Sequence, residues 1–251
     1  MAYLKALVCK ALFREFSHFA ALSENIIDIS FFEYGLHNRV GALNEVLKKE
    51  IELIDSGEDL HTSYPPYGLP FEGILIGYGL CSNGVVGLSS QHYPLVIPRA
   101  HDCITLLLGS KERYDTLFHD QPGTYWLSPG WVECERIPGT KEREFFLRRY
   151  ADKYDEETAE MLADMGEEWI KAYTRLAVIE WPEFAGSGFA EATKKLARES
   201  AEYSSLAYEE LKGNSKLLQD FLSGNWDEEH FLVVPPGKTV KASYDEGVIT
   251  Y

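Results

Sequence analysis

No apolar stretch of the 251-residue chain reaches the roughly 18 to 20 residues needed to cross a bilayer. Basic residues are scarce as well: 24 Lys and Arg face 40 Asp and Glu, a formal charge of −16. A surface of that sign repels phosphodiester backbones and anionic lipid, so neither nucleic acid nor a membrane surface is expected as a partner. A local basic pocket for one small anion is still compatible with it. Cysteine is limited to four scattered residues with no Cys-x-x-Cys pair, and disulfides are not expected in the reducing compartment that the sequence suggests. The first nine residues run straight into Lys10, Arg14 and Glu15, without the longer apolar segment and small-residue cleavage site of a signal peptide. A cytoplasmic protein is expected. Short-period repeats and low-complexity segments are lacking too. What is present, 45% hydrophobic and 25% charged residues, is the composition of a folded chain with a real core.

Patterning points to an α/β fold. Residues 4–9, 26–32, 73–80 and 93–98 are short apolar or β-branched runs, the signature of strands covered on both faces. Helical spacing separates them at 11–22 and 40–54, and a helix is expected at 102–108. Strands alternating with helices imply βαβ units and a mostly parallel, Rossmann-like sheet with helices on both faces. Farther on, 142–163 and 189–203 read as charged helices around a strand at 174–180. A last strand at 231–235 precedes a polar tail that folds back as an edge hairpin. The turn-rich stretch at 128–140 suggests a boundary, giving an N-terminal lobe at 1–130 and a helix-rich C-terminal lobe at 131–251. Two lobes with a cleft and one elaborated doubly wound sheet fit this pattern equally well.

In such sheets ligands gather at the carboxyl ends of the strands. Cys9 ends the first strand, Tyr78-Gly79-Leu80-Cys81-Ser82-Asn83-Gly84 follows the third, and Arg99-Ala100-His101-Asp102-Cys103 follows the fourth. Three of the four cysteines thus fall on one sheet edge, with His37 and His101 nearby. A zinc site is the sharp reading: His101 and Cys103 at i and i+2, with Cys81 from the neighbouring strand end, supply nitrogen and sulfur that zinc binds well. Cys9 either closes that site or leaves a fourth position open for a thiol substrate, held there as a nucleophilic thiolate. The plain alternative is a set of small buried cysteines, with Asp102 as an ordinary helix cap.

A second reading makes the loop an anion-binding turn. Gly79, Gly84 and Gly87 follow a strand and are expected to open a helix, whose free N–H groups favour an anion. Tyr78, Ser82 and Asn83 would line it, and Arg99 would pair with a carboxylate or phosphate. Cys81 at such a helix start would have a lowered pKa, making a nucleophile paired with His101. A tight turn needing small residues explains the same glycines. Cys134, in the strand-like stretch Trp131-Val132-Glu133, reads as structural. His18, His61, His92, His119 and His230 read as surface or satisfied histidines, and the acidic run at 152–168 as a solvated helix face.

Cys9, the Tyr78-Gly79-Leu80-Cys81 loop, Arg99-Ala100-His101-Asp102-Cys103-Ile104 with Leu107-Leu108-Gly109-Ser110, and Pro122-Gly123-Thr124-Tyr125 with Gly130-Trp131 together resemble an uncharacterised family of bacterial and archaeal proteins. It is a domain of unknown function whose genes often lie beside corrinoid-dependent methyltransferases of the trimethylamine type. The likeness covers residues 4–131 and extends more loosely over the rest. It implies a setting in methylamine or one-carbon metabolism. His101, Cys103 and Cys81 are also similar in type to the ligands of zinc enzymes that move a methyl group from a corrinoid to a thiol, although here the lone cysteine precedes the pair. The expectation is therefore a zinc protein of corrinoid-linked methyl transfer, acting on a small thiol or a methylated-amine-derived substrate. The alternatives are a non-catalytic accessory that binds corrinoid or metal for a partner methyltransferase or corrinoid protein, and a cysteine enzyme using Cys81.

Overall fold

The computed structural model describes residues 1–58, 70–243, 245 and 247–251, so His61 lies outside the described residues. Strand β1 (Tyr3–Cys9) is buried along its whole length. Helix α1 (Phe13–Leu22), strand β2 (Ile26–Phe32), helix α2 (Ala42–Ser56), and strands β3 (Gly73–Gly77) and β4 (Leu95–Pro98) follow. Helix α3 (Cys103–Leu108) is N-capped by Asp102, whose carboxylate accepts the Ile104 N–H at 2.9 Å. After α4 (Lys111–Asp120) come β5 (Thr124–Leu127), α5 (Pro129–Cys134), α6 (Thr140–Ala151), α7 (Glu156–Glu167), β6 (Arg175–Glu180), α8 (Gly188–Tyr203) and β7 (Ala207–Lys212). The chain closes with α9 (Lys216–Ser223), β8 (Phe231–Val234), and the short antiparallel pair β9 (Lys241–Ala242) and β10 (Ile249–Thr250), a separate two-stranded sheet where an edge hairpin was expected.

The α/β expectation holds, with mostly parallel sheets. One sheet has the order β2-β1-β3-β4-β8, parallel throughout except where β8 runs antiparallel to β4. Alternation along its strands sorts the side chains. Leu7, Ile74, Ile76 and Ile97 face Leu43, Leu47, Ile51 and Ile54 of α2. On the other side, Gly77 makes room for Phe16 of α1: a Cβ there would lie 2.9 Å from the Phe16 ring. Phe16 in turn meets Phe221 of α9, which stacks on Phe231 of β8. The second sheet, β5-β6-β7, is wholly parallel, and Leu127, Leu176 and Val178 pack against Ala197 and Ala201 of α8.

Two compact units result, one from Met1–Arg113 with Asn214–Tyr251, the other from Tyr114–Gly213. A single division near residue 130 describes the chain less well, because β8 returns to pair with β4 and carries the C-terminal segment back into the first unit. Two local expectations change. The stretch 131–134 is helical, not strand-like, since Ser128 caps α5 and Pro129 occupies its first turn. The charged helix at 142–163 is two helices, interrupted where Asp155 caps α7 by accepting the Thr158 N–H at 2.8 Å. Arg143 of α6 joins them through Glu160, Asp164 and Glu167 of α7, at 2.7, 2.7 and 3.1 Å. Among the described residues no helix is long and apolar enough to cross a membrane.

Candidate functional site

Adjacent parallel strands β1, β3 and β4 deliver their carboxyl ends to one edge, and three cysteines arrive with them: Cys9 as the last residue of β1, Cys81 just after β3, Cys103 as the first residue of α3. The loop after β3 is stitched to the segment after β4. Leu80 N–H donates to the Ala100 carbonyl at 2.7 Å, and Cys81 N–H to that of His101 at 2.9 Å. Gly79 allows this approach, since a Cβ there would lie 2.8 Å from both the Ala100 oxygen and the Asp102 nitrogen.

No helix opens at the glycines. Instead Cys81, Ser82 and Asn83 take φ of 43°, 57° and 66°, three consecutive non-glycine residues in the left-handed region. Such residues cost about 1–2 kcal/mol each, so the turn persists only because its surroundings over-determine it. Asn44 of α2 is one restraint: its amide donates to the carbonyls of Gly84 and Val86 at 3.0 and 2.7 Å.

Within this frame the thiols and one phenol converge. Tyr78 is 3% exposed, and its hydroxyl has no hydrogen-bond partner. Burial, and then the neighbouring Cys9, Cys81 and Cys103, push its pKa far up. The Cys81 thiol is pushed up to about 12 by burial, by the Asp102 carboxylate and by Cys9, against a lowering hydrogen bond from the Gly79 backbone. Cys103 is raised for the same reasons, burial first and then Asp102, Cys81 and Cys9. The lowered Cys81 pKa expected of a helix N-terminus is thus reversed: there is no helix start, and the nearby carboxylate opposes a thiolate. A cation placed among these groups would remove that opposition.

Other candidates lie apart from the thiols or are engaged elsewhere. His101 is exposed, while its carbonyl holds Cys81. No three of Cys9, Cys81, His101 and Cys103 bring ligand atoms within 4.8 Å of one another. Among the described residues, Asp227, Glu229 and His230 do, on the surface before β8. Arg99, expected to hold an anion, donates to the carbonyls of Glu228, Gly247 and Ile249, so its guanidinium anchors the terminal segment. Ser82 and Asn83 are exposed on the turn, and Gly84 is buried under Leu43. Sequence reasoning found the thiols through the strand-end rule but assigned no part to Asn44, whose amide is visible only once the turn is seen.

No curated protein and no solved structure matches the chain. Residues 31–222, well over half of the sequence, match the model of a family described as a protein of unknown function (DUF1638), and the chain belongs to that family.

Proposed function

We propose that Cys9, Cys81 and Cys103 form a zinc-binding centre at the carboxyl edge of the five-stranded sheet. The observation that carries this reading is the delivery of three cysteines to one sheet edge beside the buried, unpartnered hydroxyl of Tyr78, whose pKa all three raise. A buried polar atom without a partner is costly, about 1–3 kcal/mol, and is retained where a ligand or ion completes the site. Thiolates suit zinc, and metal binding supplies the charge that favours their deprotonation. Three thiolates leave a fourth position for His101 from the rim or for an exogenous thiol. The likeness of these ligand types to those of zinc enzymes that methylate thiols supports one chemistry: zinc would hold a small thiol as the acceptor of a methyl group from a corrinoid carried by a partner protein.

An accessory role, carrying metal or corrinoid for a partner methyltransferase, is the second reading. It is favoured by the fact that no three of these ligand atoms lie within 4.8 Å of one another, since a site that must contract around its ion suits transient carriage. The cysteine-nucleophile reading fits less well, because a thiol pushed up to about 12 is almost wholly protonated near neutral pH. Cys81 in the metal-free protein is accordingly expected to react with iodoacetamide at pH 8 more than about tenfold more slowly than an open thiol, even after allowing for its greater intrinsic nucleophilicity. Its rate should climb as pH rises toward 11. Mass-spectrometric mapping of alkylation over that range measures this, and fast labelling at pH 8 would restore the nucleophile.

The test of the centre is elemental analysis of protein purified anaerobically without an affinity tag, beside Cys81→Ala/Cys103→Ala. About one zinc per chain, lost in a variant that still melts cooperatively, is expected. Folded protein that holds no zinc and takes none up on titration would end the proposal.

A further inference from the structure

The second unit contains a cavity of about 780 Å³, walled by the turn between α5 and α6, the start of α6 and the last two turns of α8. That size lies within the range of sites for small organic ligands, roughly 300–1,000 Å³. Its walls carry apolar Ile137, Pro138, Phe145 and Leu196, and four carboxylates, Glu135, Glu142, Glu199 and Glu202, against two cations, Arg136 and Lys141. Arg136 is already engaged. Its guanidinium lies 3.2 Å from the centroid of the Phe145 ring and 3.8 Å from the Glu142 carboxylate. Glu199 reaches Lys195 at 4.0 Å, whereas neither Glu135 nor Glu202 has an ion pair among the described residues.

A separate observation comes from the floor of the cavity. Ser200 is 2% exposed, lines the cavity and has no hydrogen-bond partner for its hydroxyl. The normal resolution for a helix hydroxyl is a bond back one turn, as Thr193 of the same helix makes to the Phe189 carbonyl at 2.9 Å. Ser200 forgoes it. The surrounding field is negative: the Glu142 carboxyl is raised by burial and by Glu135 and Glu167, against the lowering effect of Arg136. Burial, Glu135 and Glu142 also raise the Tyr125 phenol.

We infer that this cavity binds an amphipathic organic cation, an amine whose ammonium group sits between Glu135 and Glu202 while its carbon body lies along Phe145, Leu196 and Ile137. The carboxylates supply charge recognition, the Ser200 hydroxyl accepts a hydrogen bond from the ammonium or donates one to a polar atom of the body, and the apolar walls supply area. Arg136 over Phe145 shows that a cation is accommodated against this aromatic face. This assignment is independent of the thiol centre, because every residue it uses belongs to the second unit.

Isothermal titration of the full chain with 4-phenylbutylamine, its neutral counterpart 4-phenylbutanol and spermidine tests it. Saturable binding of the arylamine, at least tenfold tighter than the alcohol, is expected. Glu135→Gln/Glu202→Gln, both exposed positions, should weaken the amine at least tenfold with an unchanged melting curve, and Ser200→Val should weaken it less. Glu52→Gln/Glu58→Gln, the same charge change outside the cavity, should leave it unaltered. Equal affinity for the alcohol, binding indifferent to the cavity variant, or equal loss in both charge variants would overturn the assignment. The last pattern, with spermidine tightest, would show diffuse attraction to an acidic protein.

Discussion

Asp28→Ala is expected to lower stability by about 3–5 kcal/mol, because it takes the carboxylate away from a buried ammonium. Lys5 lies in β1, the second strand of the five-stranded sheet, flanked by β2 and β3, and is 0% exposed. Asp28 is its register partner in β2, and the Lys5 Nζ stands 3.0 Å from the carboxylate. An ion pair in that position adds little net stability over an apolar pair, since Lys5 is taken wholly and Asp28 largely out of water to make it. Removing only the acid is different: the desolvated ammonium loses the carboxylate that offsets its burial. Lys5→Met/Asp28→Ala should therefore recover to within about 1 kcal/mol of the natural sequence, although each replacement removes the same contact. Urea unfolding of the two variants measures the difference. A loss under about 1 kcal/mol for Asp28→Ala would mean that the ammonium finds water or another acceptor. The pair also fixes register: a one-residue slip of β1 against β2 would separate the charges and turn Leu7 and Cys9 to the opposite face.

Strands β1, β3 and β4 were legible because burial on both faces leaves an almost uninterrupted apolar run, and β2 because its run is rich in β-branched and aromatic residues. Lys5 and Asp28 are the charged residues inside the β1 and β2 runs, and their shared register is what reconciles them with the pattern. β7 was not legible. Its sequence, Ala-Tyr-Glu-Glu-Leu-Lys, is that of an edge strand whose polar side chains stay partly exposed, and its identity comes from parallel pairing with β6. The discontinuous first unit was equally hidden, since the pairing of β8 with β4 joins residues more than a hundred positions apart.

At the site, topology was the readable part: sheet order brings Cys9, Cys81 and Cys103 to one edge because β1, β3 and β4 are neighbours. Local conformation was not readable. The glycines of the loop suggest a helix start, whereas the structure places left-handed backbone on Cys81, Ser82 and Asn83, where bonds to Ala100 and His101 and the Asn44 amide hold the turn. That same geometry leaves His101 exposed and commits Arg99 to the C-terminal segment. The cavity of the second unit had no sequence signature, being assembled from α8 and a turn about sixty residues earlier.

Gly79→Ala is the substitution that most directly separates the thiol edge from the rest of the sheet, with an expected loss of about 2–3 kcal/mol. The added Cβ would lie 2.8 Å from the Ala100 oxygen and the Asp102 nitrogen and 2.9 Å from the Asp102 Cα. All three atoms are backbone, so no side chain can swing aside; the two segments must part. Parting them weakens the Leu80–Ala100 and Cys81–His101 bonds, which hold the left-handed turn in place. The strain at Cys81, Ser82 and Asn83 then has less to oppose it, and the turn relaxes toward ordinary backbone. Cys81 would lose the burial that is the largest cause of its high pKa, and its alkylation at pH 8 should quicken by more than about tenfold. Gly57→Ala is the control: Gly57 has φ +76° with nothing within 4 Å of the added Cβ, so only the left-handed backbone is penalised, at about 1 kcal/mol. Its thiols should label as in the natural sequence. Urea unfolding with alkylation mapping of both variants decides the matter. If Gly79→Ala costs no more than Gly57→Ala and leaves Cys81 unreactive, then close backbone approach does not keep the thiol protonated, and the Asp102 carboxylate must dominate instead.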